Sequence, residues 1–356
     1  MSGGVDSSVT AYLLKEQGYE VEGVSFVLYE TRNRGDGALC CSIEARDSAA
    51  KTAAALGIKH RPIDVRAAFI DAVVGPFVEA YRCGMTPNPC ILCNKWIKFP
   101  NLLKVADEIG AEFIATGHYA RVGDCQESGV RSEGNENLTI CLKKGRDRKK
   151  DQSYVLYVLS RQQLDRLLLP LGDLTKDEVR QIARTLKLPA ADRPESQEIC
   201  FVEDNNYSAF IEKLAPETIK SGPILSADGK IVGTHKGIFS YTIGQRKGLN
   251  ISSLQSHFVT RIDPLNNSIQ VGSRDDAMSQ RIHVKEMNWL LRPKSSTFSA
   301  SVKVRSMMED RNASIRAGED DADVVFDDPQ WAPAPGQSAV FYDGDVIIGG
   351  GIISLQ

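Results

Sequence analysis

The sequence predicts an α/β protein with a doubly wound parallel sheet, followed by two small β-rich domains. Two observations lead to this prediction. Up to about Cys200, helical segments alternate with short apolar runs, a pattern typical of parallel sheets covered by helices. After about Lys220 the apolar runs are short, β-branched and separated by Gly, Asp and Asn, as in small sheets joined by turns.

The helices and strands of the first part alternate in a regular order. Glycines such as Gly18 and Gly57 end the helical patterns, and the runs that follow them have the composition of strands. Thr175 and Glu178 have the spacing of a helix capping box. The predicted helices are Ser7 to about Gly18, Ser42–Leu56, Leu102–Ile109 and Leu164–Leu188, the predicted strands are Glu20–Leu28, Lys59–Val65 and Glu112–Thr116, and Gly123–Glu136 is predicted to be a surface loop.

The later part of the chain contains the β-rich runs Gly222–Thr234, Phe258–Val271 and Ala339–Ile353. A chain of 356 residues is long enough for two or three domains of roughly 100 to 200 residues each. We place the end of the α/β part near Cys200 and the division between the β-rich domains near Gly272. The predicted domains are therefore 1–200, 201–272 and 273–356.

The overall charge gives little attraction for nucleic acid. The formal net charge is −3, so RNA binding would have to use local basic patches. The densest one runs from Lys143 to Lys150, and a charge run of this kind is most often a solvated loop. No run of about 18 uncharged apolar residues occurs, so we expect a cytoplasmic protein that does not enter membranes.

The cysteines are scattered through the chain, unlike the dense spacing of a secreted disulfide scaffold. Cys90 and Cys93 form a C-x-x-C pair, which is half of a four-cysteine zinc site; Cys83, Cys200 or a histidine would have to complete it. The remaining cysteines are expected to be small buried apolar residues. The eight cysteines are Cys40, Cys41, Cys83, Cys90, Cys93, Cys125, Cys141 and Cys200.

The segment Ser2–Ser8, with sequence SGGVDSS, is a glycine-bearing turn that leads into a helix, where backbone N–H groups can hold a phosphate. It lacks the lysine of the Walker A pattern. An ordinary N-cap turn would explain a bare SGG, but the whole segment resembles the signature of the PP-loop ATP pyrophosphatases. That family cleaves ATP between the α and β phosphates. In it the loop follows a first strand, whereas this chain begins at the loop, so we expect either a start set too late or a sheet short of one strand with impaired ATP binding.

Six segments together resemble the bacterial tRNA-specific 2-thiouridylases. SGGVDSS, TPNPCILCN, ATGHYARV, KDQSYVLY, ESQEICF and YTIGQRKGL occur in the order found in that family and span Ser2 to Leu249. The resemblance implies a PP-loop (adenine nucleotide α-hydrolase-like) α/β domain, a small central β domain that binds tRNA, and a C-terminal β-barrel. It also implies an enzyme that uses ATP and Mg²⁺ to adenylate the C2 oxygen of the wobble uridine in tRNAs for Lys, Glu and Gln, and then replaces that oxygen with sulfur.

The resemblance assigns roles to individual residues. Cys93 is expected to be the catalytic nucleophile, and Cys200 to carry a persulfide whose sulfur comes from a carrier protein or a cysteine desulfurase. A persulfide is nucleophilic, and the second thiol accepts what remains, either by attacking the persulfide or by forming a Cys93–Cys200 disulfide. His118 without its motif would be read as a structural histidine. The expected ATP-binding residues are Met1, Ser2, Gly3, Gly4, Val5, Asp6, Ser7, Phe26 and Gly117, and the expected tRNA-binding residues are Asn88, Pro89, Cys90, His118, Lys150, Asp151, Gln152, Arg305 and Gln337.

Cys90 stands where many members of that family carry Asp, which adds a third thiol to the site. Cys90, Cys93 and Cys200 could then bind three irons of a [4Fe–4S] cluster and leave the fourth iron open for sulfide. We favour the persulfide route over the cluster. Two other functions remain open at this point: an amide-forming PP-loop ligase, which has no use for Cys93 and Cys200, and a zinc-stabilised RNA-binding module, which leaves SGGVDSS unexplained.

Overall fold

The computed structural model describes residues 1–29, 43–125, 140–191, 199–202, 206–251 and 256–354. The chain forms two compact units. The first consists of Met1–Val73, Cys90–Asn205 and Asp345–Ile347, and the second of Val74–Pro89, Asn206–Gly344 and Ile348–Gln356.

Helices lie mainly in the first unit. Short 3₁₀ turns occur at Ser153–Val155, Pro216–Thr218, Ile238–Ser240 and Asp275–Ala277, and π-helical segments at Ile70–Val74 and Cys93–Lys98. The α-helices are α1 (Val5–Glu16), α2 (Ile43–Leu56), α3 (Arg66–Phe69), α4 (Gly75–Arg82), α5 (Pro89–Leu92), α6 (Phe99–Ile109), α7 (Arg161–Asp165), α8 (Lys176–Thr185) and α9 (Tyr207–Leu214).

Strands occur in both units. The first unit contains β1 (Glu22–Val27), β2 (Lys59–Asp64), β3 (Ile114–Ala115), β4 (Ala120–Asp124), β5 (Ile140–Lys144) and β6 (Leu167–Leu168). The later strands are β7 (Gly222–Leu225), β8 (Ile231–His235), β9 (Phe258–Asp263), β10 (Ser268–Gly272), β11 (Met278–Trp289), β12 (Thr297–Lys303), β13 (Arg311–Ala317), β14 (Asp321–Trp331), β15 (Ser338–Asp343) and β16 (Val346–Ile353).

The first unit has the predicted α/β character. β1 pairs in parallel with β2 from Glu22↔Lys59 to Val27↔Asp64, and β3 pairs in parallel with β6. α1 packs against α8 through a buried apolar cluster that includes Val9 and Val179. Parallel strands joined through helices are the arrangement that the alternating sequence pattern predicts, so the fold class is confirmed.

The predicted helix Leu164–Leu188 is wrong in its middle. The chain instead forms α7, the short strand β6, a turn and then α8. Pro170 cannot donate a helical hydrogen bond, and a Cβ atom on Gly172 would lie 2.2 Å from the Ala120 carbonyl oxygen, so the turn packs directly on β4. The predicted capping box does form: the Thr175 amide donates to Glu178 Oε2 at 2.6 Å, and the Glu178 amide donates to Thr175 Oγ1 at 3.3 Å.

A hairpin of β4 and β5 was not predicted. The two strands pair antiparallel from Ala120↔Lys144 to Asp124↔Ile140, which places Lys143 and Lys144 in a strand rather than a solvated loop. Cys125 and Cys141 form a disulfide across this hairpin, with 5.3 Å between their Cα atoms. The expectation that each is an isolated buried thiol is therefore wrong, because the hairpin register brings them together. Most of the predicted loop Gly123–Glu136, and Cys40 and Cys41, lie outside the described residues.

The second unit is built mainly from β-strands, together with α4 and α9. One sheet has the order β8-β7-β10-β9, with β7 and β10 parallel and the other pairs antiparallel, and it covers a core that includes Ile224, Val259 and Ile269. A second sheet has the order β11-β14-β13-β12-β15-β16, and β16 pairs back onto β11, so the sheet closes into a barrel. This confirms the β-barrel. Within the described ranges, no helix is long and apolar enough to cross a membrane.

Candidate active site

The phosphate loop is a tight turn at the start of α1. Gly3 has φ +74°, and a Cβ atom there would lie 2.0 Å from the Ala45 carbonyl oxygen, so only glycine fits. Gly4 is the N-cap and has no side chain with which to cap the first-turn amides. Ser7 Oγ accepts from the Ser2 amide at 3.1 Å and donates to the Gly4 carbonyl at 3.1 Å. The result is a helix N-terminus with backbone amides suited to an anion.

Asp6 is held by two side chains from distant parts of the first unit. Tyr119 donates its hydroxyl hydrogen to Asp6 Oδ1 at 2.7 Å. Lys176 donates from Nζ to Oδ1 at 2.7 Å and to Oδ2 at 2.8 Å, and only 6% of Lys176 is exposed. Neither residue was predicted from the sequence to belong to the site. The capping box at Thr175 predicts that Lys176 begins a helix, but no local pattern indicates its contact with Asp6.

Three of the predicted ATP-site residues outside the loop can be placed. A Cβ atom on Gly117 would lie 2.9 Å from the carbonyl carbon of Asp6, so the Gly117 backbone packs directly against the first turn of α1. Met1 lies against β1, where its amino group donates to the Val24 carbonyl. Phe26 is half-buried in β1, opposite Ile63 of β2. The structure thus brings Gly117 to the loop, while the roles of Met1 and Phe26 in ATP binding stay predictions.

Cys93 begins the π-helical segment Cys93–Lys98, between α5 and α6. Cys93 is buried, with 8% exposed, whereas Cys90 in α5 is exposed. Asn94 is also buried and donates from Nδ2 to the Val155 carbonyl at 2.9 Å, which fixes the segment next to Cys93. π-Helical turns are rare and occur frequently at functional sites, and no sequence pattern used above predicts one.

Cys200 is half-buried and is followed by a residue fixed in the core. The ring of Phe201 meets that of Phe69 edge-on, with 5.6 Å between centroids, and the Val202 amide donates to the Ile199 carbonyl at 3.0 Å. Among the described residues, no group of three or more His, Cys, Asp or Glu side chains is placed to hold a metal ion. Cys83, Cys90, Cys93 and Cys200 are among the described residues, and the zinc site and the iron–sulfur ligand set considered from the sequence stay predictions.

His118 is buried next to the Gly117 backbone. Its Nδ1 atom is 2.8 Å from Thr116 Oγ1, and its ring stacks on Phe99 with 6.0 Å between centroids. Burial, and secondly the charge of Lys98, hold the pKa of His118 well below its ordinary value. The imidazole is therefore neutral at neutral pH and can accept or donate a single hydrogen bond from its second nitrogen.

The predicted tRNA-binding residues Asp151 and Gln152 use their side chains to order their own loop. Asp151 Oδ1 accepts from the Gly145 amide at 2.9 Å, and Oδ2 accepts from Ser153 Oγ at 2.9 Å. Gln152 Oε1 accepts from the Tyr119 amide at 3.0 Å. Lys150 is half-buried at the start of this loop. Contact with tRNA stays a prediction for all three, and the observed bonds show that two of them shape the loop.

The remaining predicted tRNA-binding residues lie elsewhere. Arg305 donates from one guanidinium nitrogen to the Ile243 carbonyl at 2.9 Å and to the Ala332 carbonyl at 2.7 Å, and so anchors the YTIGQRKGL segment within the second unit. Gln337 donates from Nε2 to the Thr86 carbonyl at 2.7 Å. Asn88 is half-buried, and Pro89 is buried at the start of α5. These contacts assign structural roles to Arg305 and Gln337 and leave their RNA contacts as predictions.

Family models match nearly the whole chain. A tRNA methyl transferase HUP domain matches residues 1–204, a tRNA methyl transferase PRC-barrel domain residues 208–273, and an aminomethyltransferase beta-barrel domain residues 279–353. A solved structure titled as a predicted subunit of tRNA methyltransferase from Methanocaldococcus jannaschii covers 51% of this chain and 72% of its own, with 20% identity and a TM-score of 0.29, a likeness too low to bear on the fold.

Full-length relatives are considerably more similar. The tRNA-specific 2-thiouridylase MnmA 1 of Caldanaerobacter subterraneus subsp. tengcongensis is 46% identical over 362 aligned residues, which cover 100% of this chain and 97% of that protein. The tRNA-specific 2-thiouridylases MnmA of Clostridioides difficile and Halothermothrix orenii are 42% and 43% identical, each over 99% of this chain and over 96% and 97% of their own lengths.

Proposed function

Because this chain belongs to the MnmA family of tRNA-specific 2-thiouridylases, we propose that it makes 2-thiouridine in tRNA by an ATP-dependent exchange of the C2 oxygen for sulfur. The observation that carries the proposal is the 46% identity over the whole chain. The phosphate loop, the buried Cys93 and the half-buried Cys200 give each chemical step a group that can perform it.

Adenylation comes first, because the C2 carbonyl of uridine is a poor electrophile. The C2 oxygen attacks the α phosphorus of ATP, and pyrophosphate leaves. The amides of Gly4, Val5 and the first turn of α1 are suited to hold the phosphates of the leaving group. Mg²⁺ that accompanies ATP would neutralise phosphate charge, and Asp6 supplies the oxygen ligands that this ion prefers.

Sulfur transfer follows at the two cysteines. The terminal sulfur of a Cys200 persulfide attacks C2, and AMP leaves with the original oxygen. The Cys93 thiolate then attacks Cys200 Sγ, the sulfur–sulfur bond of the persulfide breaks, and its electron pair completes the 2-thiouridine. Cys93 and Cys200 are left as a disulfide, which two cellular thiols reduce again as they become a disulfide themselves. The sulfur itself comes from a carrier protein or a cysteine desulfurase.

The substrate that we propose is the wobble uridine in the anticodon loop of tRNAs for Lys, Glu and Gln, which places the enzyme in the cytoplasm. The descriptions of two family models mention methyl transfer instead. We favour thiolation because the relatives that match over their full length are 2-thiouridylases and because methyl transfer would not need an ATP-cleaving loop.

The test is an anaerobic reaction of the purified protein with tRNA, ATP, Mg²⁺, a reductant and a persulfide donor. The tRNA is digested to nucleosides, and their masses are measured by mass spectrometry, which distinguishes 2-thiouridine from a methylated uridine. Wild type and Cys83→Ser should form 2-thiouridine, whereas Cys93→Ser and Cys200→Ser should not. Cys83 is a matched control because it is also half-buried and its thiol bonds to Glu79. A methylated product, or thiolation by Cys93→Ser at the wild-type rate, would overturn the proposal.

A further inference from the structure

The phosphate loop carries no cation of its own. The only ionisable side chain in SGGVDSS is that of Asp6, and it is negative. P-loops of the Walker type use a lysine within the loop to contact the phosphates. A carboxylate in the first turn of α1 would repel a bound polyphosphate unless its charge were compensated, by the Mg²⁺ that accompanies ATP or by a positive charge from another part of the fold.

Lys176 provides that charge from the first residue of α8. Its Nζ atom binds both carboxylate oxygens of Asp6, at 2.7 and 2.8 Å, and lies 5.7 Å from the centroid of the Tyr119 ring. The exposed fraction of its side chain is 8%, against 34% for Asp6. The ammonium group is therefore shielded from water, and Asp6 keeps an open side toward solvent.

The backbone of Lys176 is fixed as well. Its amide donates to Asp147 Oδ2 at 3.0 Å, and the capping box of Thr175 and Glu178 sets the first turn of α8. Burying a lysine is costly unless it is paired, and the Nζ atom of Lys176 pairs with Asp6, where the phosphate loop begins its helix. The pairing of Lys176 with Asp6 is not needed to cap α8, because Thr175 already caps this helix.

We propose that Lys176 is a positioning residue of the ATP site: it holds the Asp6 carboxylate on the first turn of α1 and neutralises its charge, so that the loop can accept the polyphosphate of ATP. Tyr119 shares the positioning task through its hydroxyl group. The inference rests on the proposed function only in that the nucleotide is ATP. It adds a residue from α8 to a site otherwise formed by the loop and by Gly117.

The test measures the affinity for an ATP analogue that cannot be cleaved between the α and β phosphates, by calorimetry with Mg²⁺. The proteins are wild type, Lys176→Met, Asp6→Asn, the double variant, and Lys303→Met as a matched control. Methionine keeps the length of the lysine stem without its charge, and Lys303 is, with 8% exposed, the other buried lysine among the described residues. We expect Lys176→Met to weaken binding about tenfold, which corresponds to about 1.4 kcal/mol, and Lys303→Met to leave the affinity within about twofold of wild type.

The double variant separates positioning from direct contact. If Lys176 acts through Asp6, adding Lys176→Met to Asp6→Asn should cause no further loss of affinity. If Lys176→Met lowers the nucleotide affinity equally in the wild-type and Asp6→Asn backgrounds, Lys176 binds the phosphates directly and the positioning role is wrong. An unchanged affinity in the single variant Lys176→Met would also overturn the positioning role. Should that variant not fold, Tyr119→Phe removes the other hydrogen bond to Asp6 and should weaken binding about threefold, and an unchanged affinity there would refute the inference.

These outcomes are distinguishable from failure of the proposed function. Nucleotide affinity is measured without tRNA or a sulfur donor, so it tests Lys176 even if no 2-thiouridine is formed. Conversely, the wild-type protein could make 2-thiouridine while Lys176→Met binds the analogue with wild-type affinity. In that case only the inferred role of Lys176 would be wrong.

Discussion

Gly117→Ala tests whether the chain approaches α1 as closely as the structure shows. The new Cβ atom would lie 2.9 Å from the Asp6 carbonyl carbon and 3.1 Å from both the Asp6 Cβ and carbonyl oxygen. Two of these three atoms belong to helical backbone, so the first turn of α1 must move. Overpacking of this kind costs about 1–3 kcal/mol in the free energy of unfolding. Because Asp6 moves with that turn, we expect the affinity for the uncleavable ATP analogue to fall between about tenfold and a hundredfold.

The matched control for this substitution is Gly123→Ala in β4 of the same unit. Among the described residues other than its two chain neighbours, no atom lies within 4 Å of the Cβ position at Gly123, so the free energy of unfolding should change by less than about 0.5 kcal/mol and nucleotide affinity should not change. Urea unfolding gives the stability of both variants, and calorimetry gives their affinities. If Gly117→Ala and Gly123→Ala behave alike in both measurements, the close packing of Gly117 on Asp6 is wrong.

Asp6→Ala should abolish AMP release while tRNA binding persists. Thin-layer analysis of labelled ATP measures the AMP and filter binding measures the tRNA bound, and continued AMP formation by the variant would contradict this prediction. Lys150→Ala should weaken tRNA binding and reduce the slope of log affinity against log salt by about one unit, and an unchanged slope would make Lys150 an ordinary solvated lysine. Burial keeps the pKa of His118 below that of the unfolded chain, so the unfolded state binds more protons below about pH 6.5 and the stability should fall as the pH drops through that range. The pKa values of His60 and His235 are lowered as well, so His118→Asn should reduce the pH dependence of urea unfolding, by up to about 1.4 kcal/mol per pH unit, without removing it. Identical stability curves for wild type and variant would contradict a buried neutral His118.

Local patterns predicted the elements that depend on local signals. The helix before Gly18, the strands β1 and β2 and the capping box at Thr175 all follow from residues that are neighbours in the sequence. The apolar spacing around Leu164–Leu188 continued across a proline and a glycine, and here the pattern alone gave one helix where the chain forms two helices and a strand.

Contacts between distant residues were beyond such patterns. Lys176 meets Asp6 from 170 positions away, and Cys125 meets Cys141 through a hairpin whose connection is polar and carries no strand signal. Resemblance to a family located Asp151 and Gln152, but not the fact that their oxygens accept hydrogen bonds from the amides of Gly145 and Tyr119. Sequence therefore indicated which segments matter and left open which bonds each side chain makes.

The π-helical segment Cys93–Lys98 makes the turn that follows the thiol depend on the number of residues as well as on their identity. A π-turn holds an additional residue compared with an α-helix, and the segment lies between α5 and α6 without a break in the helical backbone. Deleting one residue, such as the partly exposed Lys95, would let an ordinary α-helix run through to Phe99 with α5 and α6 in nearly their present orientation, because the wider turn accommodates the residue that is removed. A deletion within α6 has no such turn to absorb it and would rotate the residues before it by about 100° around the axis. A gap of a single residue between two related chains in this stretch would therefore change the turn that follows Cys93 and leave the helices on either side in place.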